Sequence, residues 1–279
     1  MTTTLTERCV EVWNGRLRLR VKVTGTGPAL VYLHPAAGLA WDGFLDKLAE
    51  SYTVYAPEFP GTSSPDPYAI HKVDDLWQLV LLYEEAIRKL DIGTPVLVGQ
   101  SFGGMLAAEL AASFPDRFGK LVLLDPIGLW RDDEPVANWI TAAPTELPGL
   151  LFADPEGPAA TAMLMPPTDP EEAIAASAGM VWALGCTGKF VWPIPDKGLR
   201  QRLHRISAPT LIVWGEEDKL ISASYANDFA TGIANSTVTL VPNAGHIPQV
   251  EQTDVTFAAV DGFLSEASDR AAAPELVTA

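Results

Sequence analysis

Positive charge is scarce in this chain. Its 19 Lys and Arg residues stand against 35 Asp and Glu, a formal net charge of −16. No basic cluster offsets that excess, so phosphates would be repelled and nucleic acid is not an expected partner. The acidity favours solubility. Cysteine is rarer still: Cys9 and Cys186 are the whole complement of two. They cannot make a disulfide framework, and their apolar settings read as two buried thiols. The four histidines, His34, His71, His204 and His246, stand singly in sequence. No metal-ligand spacing occurs, and no metal or cofactor is implied. No apolar stretch reaches the ~18 residues of a membrane span. Met1 to Glu7 lack the basic patch and apolar run of a signal peptide. A cytoplasmic chain without membrane contact is the expectation.

What is present is the composition of a folded protein. Hydrophobic residues make up 48% and charged residues 19% of 279 positions, enough to bury a large core. Leu17, Leu19, Val21 and Val23 alternate with Arg16, Arg18, Arg20 and Lys22, a strand with one buried face. Short continuous apolar runs follow at Ala29 to Leu33, Tyr52 to Ala56, Val96 to Val98, Leu121 to Leu124 and Thr210 to Trp214. Such runs suit strands covered on both faces. Between them, Leu76, Leu79, Val80, Tyr83, Ala86, Ile87 and Leu90 recur at helical spacing. Phe102 to Phe114 is a second helical run, ended by Pro115. Ala223 to Ala230 and Val255 to Leu264 are also helical in pattern. The alternation predicts an α/β fold with a mostly parallel central sheet flanked by helices.

One stretch breaks the alternation. Residues 130–198 hold ten of the 23 prolines, four of the eight tryptophans and three of the five methionines. They read as a mainly helical cap inserted into a core made of residues 1–129 and 199–279. The alanine-rich tail after Glu266 is expected to fray.

The chemistry centres on Gly99-Gln100-Ser101-Phe102-Gly103, which follows the apolar run Val96 to Val98 and precedes a helical one. A serine in a sharp strand-to-helix turn has a strained backbone, and small neighbours relieve the crowding. Such a turn lifts the Ser101 hydroxyl clear of the chain. The amide of Phe102, at the helix N-terminus, is then placed to stabilise an oxyanion.

Serine needs a base. His246 sits in the polar loop Asn243-Ala244-Gly245-His246, between Thr237 to Val241 and the last helical run. That loop can reach the serine turn. His71 and His204 border helical segments and read as surface residues, and His34 ends the first buried run. The acid that orients the imidazole is expected at Asp218, in a loop directly after Thr210 to Trp214. Glu216, Glu217 and Asp125 are its alternatives. A second oxyanion donor is expected in Leu33-His34-Pro35-Ala36-Ala37-Gly38. Pro35 has no N–H, so Ala36 is the first choice and Ala37 the second.

These pieces, together with Pro57 to Ser63 and Pro209 to Asp218, resemble the α/β-hydrolase superfamily over about residues 15–265. The resemblance implies a triad of Ser101, Asp218 and His246, in the chain order nucleophile, acid, base. It also implies an oxyanion hole at Ala36 and Phe102. Members with an aspartate nucleophile, such as epoxide hydrolases and haloalkane dehalogenases, are set aside by Ser101. The leading expectation is hydrolysis of an ester or lactone of a small, uncharged, partly apolar substrate. Trp130, Trp139, Met163, Met180, Trp182 and Trp192 are the candidate pocket residues. Carbon–carbon bond hydrolysis of ring-cleavage products is the first alternative. It calls for a cation to meet the substrate carboxylate, whereas residues 130–198 hold ten acidic residues and only Arg131, Lys189 and Lys197 as basic ones. That family also tends to carry tryptophan after the histidine, where this chain has Ile247. A cofactor-free perhydrolase or haloperoxidase would use the same triad, and a receptor-like binding protein on the same scaffold would use it without turnover.

Overall fold

The short apolar runs become the strands of a single sheet. A computed structural model describes residues 4–62, 66–143 and 145–266. Among them are β1 (Thr6–Val12), β2 (Leu17–Thr24), β3 (Ala29–Leu33), β4 (Thr53–Pro57), β5 (Val96–Gln100), β6 (Leu121–Leu124), β7 (Thr210–Gly215) and β8 (Ser236–Val241). Their order is β1-β2-β4-β3-β5-β6-β7-β8. The pairs β1–β2 and β2–β4 are antiparallel, and every pairing from β4 to β8 is parallel. The helices of this layer are α1 (Gly43–Ala49), α2 (Leu76–Lys89) and α3 (Phe102–Ser113). This is the α/β-hydrolase fold class, with the serine turn at the end of the central strand β5.

Successive residues of a strand point to opposite faces, and the core divides accordingly. Val31, Leu33, Leu121, Leu123, Ile212 and Trp214 pack on one face with α2 and α3. Leu30, Tyr32, Val122, Leu124, Leu211 and Val213 pack on the other. α9 (Thr253–Ser265) covers that second face with α1, contributing Val260 and Leu264. Each fully buried leucine or valine contributes about 1.5–3 kcal/mol relative to exposure. Burial on both sides explains why β3 and β6 are wholly apolar and why β5 and β7 are apolar apart from Gln100 and Thr210.

β1 and α1 were not expected from the sequence. In β1 only Val10 and Val12 are buried, because this strand forms the sheet edge. Glu7, Cys9 and Glu11 occupy its outward face, so Cys9 is exposed while Cys186 is buried. The expectation of two buried thiols is corrected at Cys9, where the alternation of an edge strand outweighs local apolarity. α1 is short and is announced mainly by Asp42, whose side chain accepts the amide of Leu45 at 3.0 Å as an N-cap.

Between β6 and β7 the described residues form α4 (Leu147–Leu151), α5 (Pro158–Leu164) and α6 (Pro170–Val191), and no strand. α6 is long and apolar enough, by length and composition, to cross a membrane. This corrects the reading that no stretch qualifies. Glu171, Glu172 and Lys189 interrupt the apolar run, but alanines and glycines keep the helix apolar as a whole. Its C-terminal half packs into the core through Cys186, Phe190 and Val191. α7 (Tyr225–Gly232) and the single turn α8 (Pro248–Glu251) complete the chain before α9. The tail after Glu266 lies outside the described residues.

Candidate active site

The serine turn is tight because backbone meets backbone there. Ser101 adopts φ 55° and ψ −114°, a conformation costly for any side-chain-bearing residue. Its amide donates to Leu124 O at 2.8 Å, and its carbonyl accepts from Met105 N at 3.0 Å, which starts α3. A Cβ on Gly99 would lie 2.3 Å from Gly103 O, and one on Gly103 would lie 2.0 Å from Leu33 O. Glycine at both positions is therefore a steric requirement of the turn.

Three elements bring their side chains together at this point. Ser101 Oγ donates to His246 Nε2 at 2.8 Å, and His246 Nδ1 donates to Asp218 Oδ2 at 2.8 Å. All three residues are buried. Asp218 Oδ1 accepts the amides of Leu220 and Ile221 at 2.8 and 2.9 Å, and Oδ2 also accepts Trp214 Nε1 at 3.2 Å. Four donors converge on one carboxylate and fix its orientation toward the imidazole. Glu216 and Glu217, the alternatives in the same loop, are exposed. Asp125 is fully buried nearby, but it accepts a hydrogen bond from Gly215 N at 2.9 Å, and it is Asp218 that meets the imidazole. One polar atom from each of Asp125, Asp218 and His246 falls within a 4.8 Å cluster, so His246, single in sequence, is surrounded in space. A hydroxyl, an imidazole and a carboxylate joined in this way can generate a serine nucleophile.

The loop bearing His246 is held from three sides. His246 N donates to Leu151 O at 2.8 Å, at the end of α4. Gln100 Nε2 donates to His246 O at 3.0 Å. Glu251 accepts Gly245 N at 2.6 Å on one oxygen and Ala153 N at 2.9 Å on the other. Desolvation raises the Glu251 carboxyl above its ordinary range against the pull of these amides. Glu251 thus ties the histidine loop to the segment after α4. The sequence reading did not single it out; its one signal is an acidic residue in the apolar turn behind the histidine.

The loop after β3 faces the serine turn. His34 was assigned no role from sequence. Its Nε2 accepts Phe59 N at 2.8 Å, and its Nδ1 contacts Pro35 O at 2.7 Å. Burial lowers its pKa to about 4, so the ring is neutral and clamps the loop as a donor and an acceptor. Ala36 is buried and Ala37 is exposed. Thr187 Oγ1 of α6 lies 3.2 Å from Ala36 O and 3.0 Å from Ala183 O of its own helix, which brings α6 within hydrogen-bond reach of that peptide. Among the described residues, no acceptor occurs for the amide of Ala36 or of Phe102.

The candidate pocket residues are spread out. Trp139 and Trp192 pack edge to face at 5.1 Å and join the main core. Trp130 Nε1 donates to Asp132. Trp182 Nε1 donates to Gly61 O at 2.9 Å, and its ring borders an apolar groove of about 600 Å³ between α6 and Ile70-His71. Met163 and Met180 are exposed. His71 and His204 lie at the surface as expected.

Residues 30–260 match the model of the alpha/beta hydrolase family. The chain is similar to a 2-hydroxy-6-oxo-6-phenylhexa-2,4-dienoate hydrolase of Burkholderia cepacia, 26% identical over 262 residues, or 85% of this chain and 87% of that protein. Among solved structures, it resembles the enzyme of that same name from Rhodococcus, with a TM-score of 0.75 at 20% identity over 95% of this chain and all (100%) of that one. It also resembles naproxen esterase from Bacillus subtilis, with a TM-score of 0.74 at 17% identity over 94% of this chain and 92% of that one. The family match covers most of the chain and includes the serine turn, the acidic loop and the histidine loop: the protein belongs to the alpha/beta hydrolase family and is a hydrolase.

Proposed function

We propose that the protein hydrolyses a carboxylic ester or lactone of a small, uncharged, partly apolar substrate through an acyl-enzyme on Ser101. The observation that carries this reading is the unbroken hydrogen-bonded chain from Ser101 Oγ through His246 to Asp218, with 2.8 Å at each link. In this scheme His246 takes the proton as Ser101 attacks the carbonyl. The amides of Ala36 and Phe102 hold the oxyanion, each contributing roughly 3–4 kcal/mol to the barrier reduction. His246 then protonates the leaving alcohol and later activates water for deacylation. Asp218 stays ionised and fixes the imidazole tautomer. Residues 130–198 act as a cap over the serine, and the six candidate residues Trp130, Trp139, Met163, Met180, Trp182 and Trp192 supply its apolar surface.

The second reading is carbon–carbon hydrolysis of a ring-cleavage product, favoured by the Burkholderia relative. Such a substrate carries a carboxylate and would need a cation. Arg131 is paired with Asp133 and Glu134, Lys189 donates to Val73 O, and Lys197 donates to Trp192 O. Ile247, rather than tryptophan, follows the histidine and is buried. Both features weigh toward the uncharged ester. Steady-state assays with p-nitrophenyl acetate, butyrate and octanoate, beside a dienoate ring-cleavage product, test the choice. Faster turnover of the esters is expected; faster turnover of the dienoate would replace this reading with the second.

A further inference from the structure

A second aspartate lies inside the site and is left unused by the scheme above. Asp125 directly follows β6, is wholly excluded from solvent, and adopts φ +43°. Its Oδ1 accepts Gly215 N at 2.9 Å, while its Oδ2 has no hydrogen-bond partner among the described residues. One polar atom of each of Asp125, Asp218 and His246 lies within 4.8 Å of the others. Two carboxylates buried this close cannot both hold a charge cheaply. The donors decide which one does. Asp218 receives two amides, an indole N–H and the imidazole N–H, whereas Asp125 receives a single amide.

Building on the triad reading above, we propose that Asp125 is a positioning residue held as a neutral carboxylic acid, whose proton faces Asp218 and keeps that carboxylate aimed at His246. The two aspartates then carry one negative charge between them. A bare oxygen on a fully buried carboxyl is costly if ionised, and is relieved if that oxygen bears a proton directed at an anion. Desolvation, with the Asp218 charge beside it, pushes the Asp125 carboxyl well above the ordinary carboxylate range. The titratable groups facing it are Asp218 and His246, with Glu251 farther off. The left-handed backbone at Asp125 is one that Asp and Asn tolerate better than most residues.

The test is infrared difference spectroscopy of wild type against Asp125→Asn at pH 7, with kinetics of Asp125→Asn, Asp125→Ala and Ser101→Ala alongside. Wild type minus Asp125→Asn should show the C=O stretch of a protonated carboxyl, shifted in D2O. A carboxylate band in its place would overturn the proposal. Asn keeps the acceptor for Gly215 and puts an N–H where the acid proton stood. Asp125→Asn should therefore fold and hold kcat/KM within about threefold of wild type. Asp125→Ala should lose about a hundredfold in kcat through misplacement of Asp218. An unfolded or inactive Asn variant, or an Ala variant with wild-type kcat, would count against the neutral acid. The spectrum needs no substrate, so the proposal can fail or hold independently of the ester reading, which Ser101→Ala tests.

Thermal stability gives a further readout. A carboxyl whose folded-state pKa lies above its unfolded value near 3.8 contributes fully below that value. The contribution is lost as pH rises toward the folded-state value. The Tm of Asp125→Asn relative to wild type should therefore climb as pH rises above about 4. A flat difference would contradict a protonated Asp125.

Discussion

The end of the sheet around Ser101 and the helix α6 are held in opposite ways. Ser101, Asp218 and His246 are 5%, 7% and 3% exposed, and hydrogen bonds from strand ends and loops fix each of them. The part of α6 up to Val181 stands in solvent: Ile174 and Val181 are each 71% exposed, and Met180 is 42% exposed. Only farther along does α6 anchor, through Trp182 on Gly61 O, Thr187 on Ala36 O and Lys189 on Val73 O. The contrast separates two tasks. Reaction geometry rests on a crowded backbone that tolerates no added atom. Substrate choice, in the function proposed, rests on a helix with open space around much of its length.

The largest expected effect breaks the polar side of that contrast. Asp218→Asn should lower kcat by about ten-thousand-fold with the fold intact, because the imidazole then takes the wrong tautomer. A near-normal rate would move the acid away from Asp218. A matched glycine pair tests the steric side. Gly103→Ala forces a methyl against the Leu33 and His34 carbonyls and should cost about 3 kcal/mol or more. Gly179→Ala, in α6, has nothing within 4 Å and should stabilise by about 0.5–1 kcal/mol. Urea unfolding of both variants reads the difference, and equal effects would dissolve the comparison.

A dependence on pH gives a further test. His34 is neutral when folded, with a pKa lowered from 6.5 to about 4 by burial. Between those values the unfolded chain binds the extra proton, so stability falls as pH drops from 6.5 toward 4. This group contributes up to about 3 kcal/mol of that fall. Asp42, raised to about 6, works in the opposite direction over part of the window. His34→Gln keeps a donor and an acceptor but does not titrate, so its stability-versus-pH curve should be flatter than that of wild type. Superimposable curves would remove His34 as the source.

Much of the fold was legible because its strands announce themselves. β3 and β6 are unbroken apolar runs, and β5 and β7 are apolar apart from Gln100 and Thr210, a pattern that burial on both faces demands. β1 was not, since an edge strand buries only alternate residues and its charges mask the period. In the site, Gly99 to Gly103 declared the serine turn because steric need limits the residues allowed there. His34, Glu251 and Gln100 were harder to see. Each acts through a bond to a backbone group distant in sequence, and Phe59, Ala153 and His246 come close only when the sheet is assembled. α6 misled the membrane reading because small residues make a helix apolar without making a conspicuous run.

The most direct test of the central claim is intact-protein mass spectrometry during turnover of p-nitrophenyl butyrate, quenched in acid within the first cycle. One added butyryl group is expected, located on Ser101 by peptide mapping and absent in Ser101→Ala. Ester turnover that persists in Ser101→Ala, or an acyl group located on another residue, would contradict it.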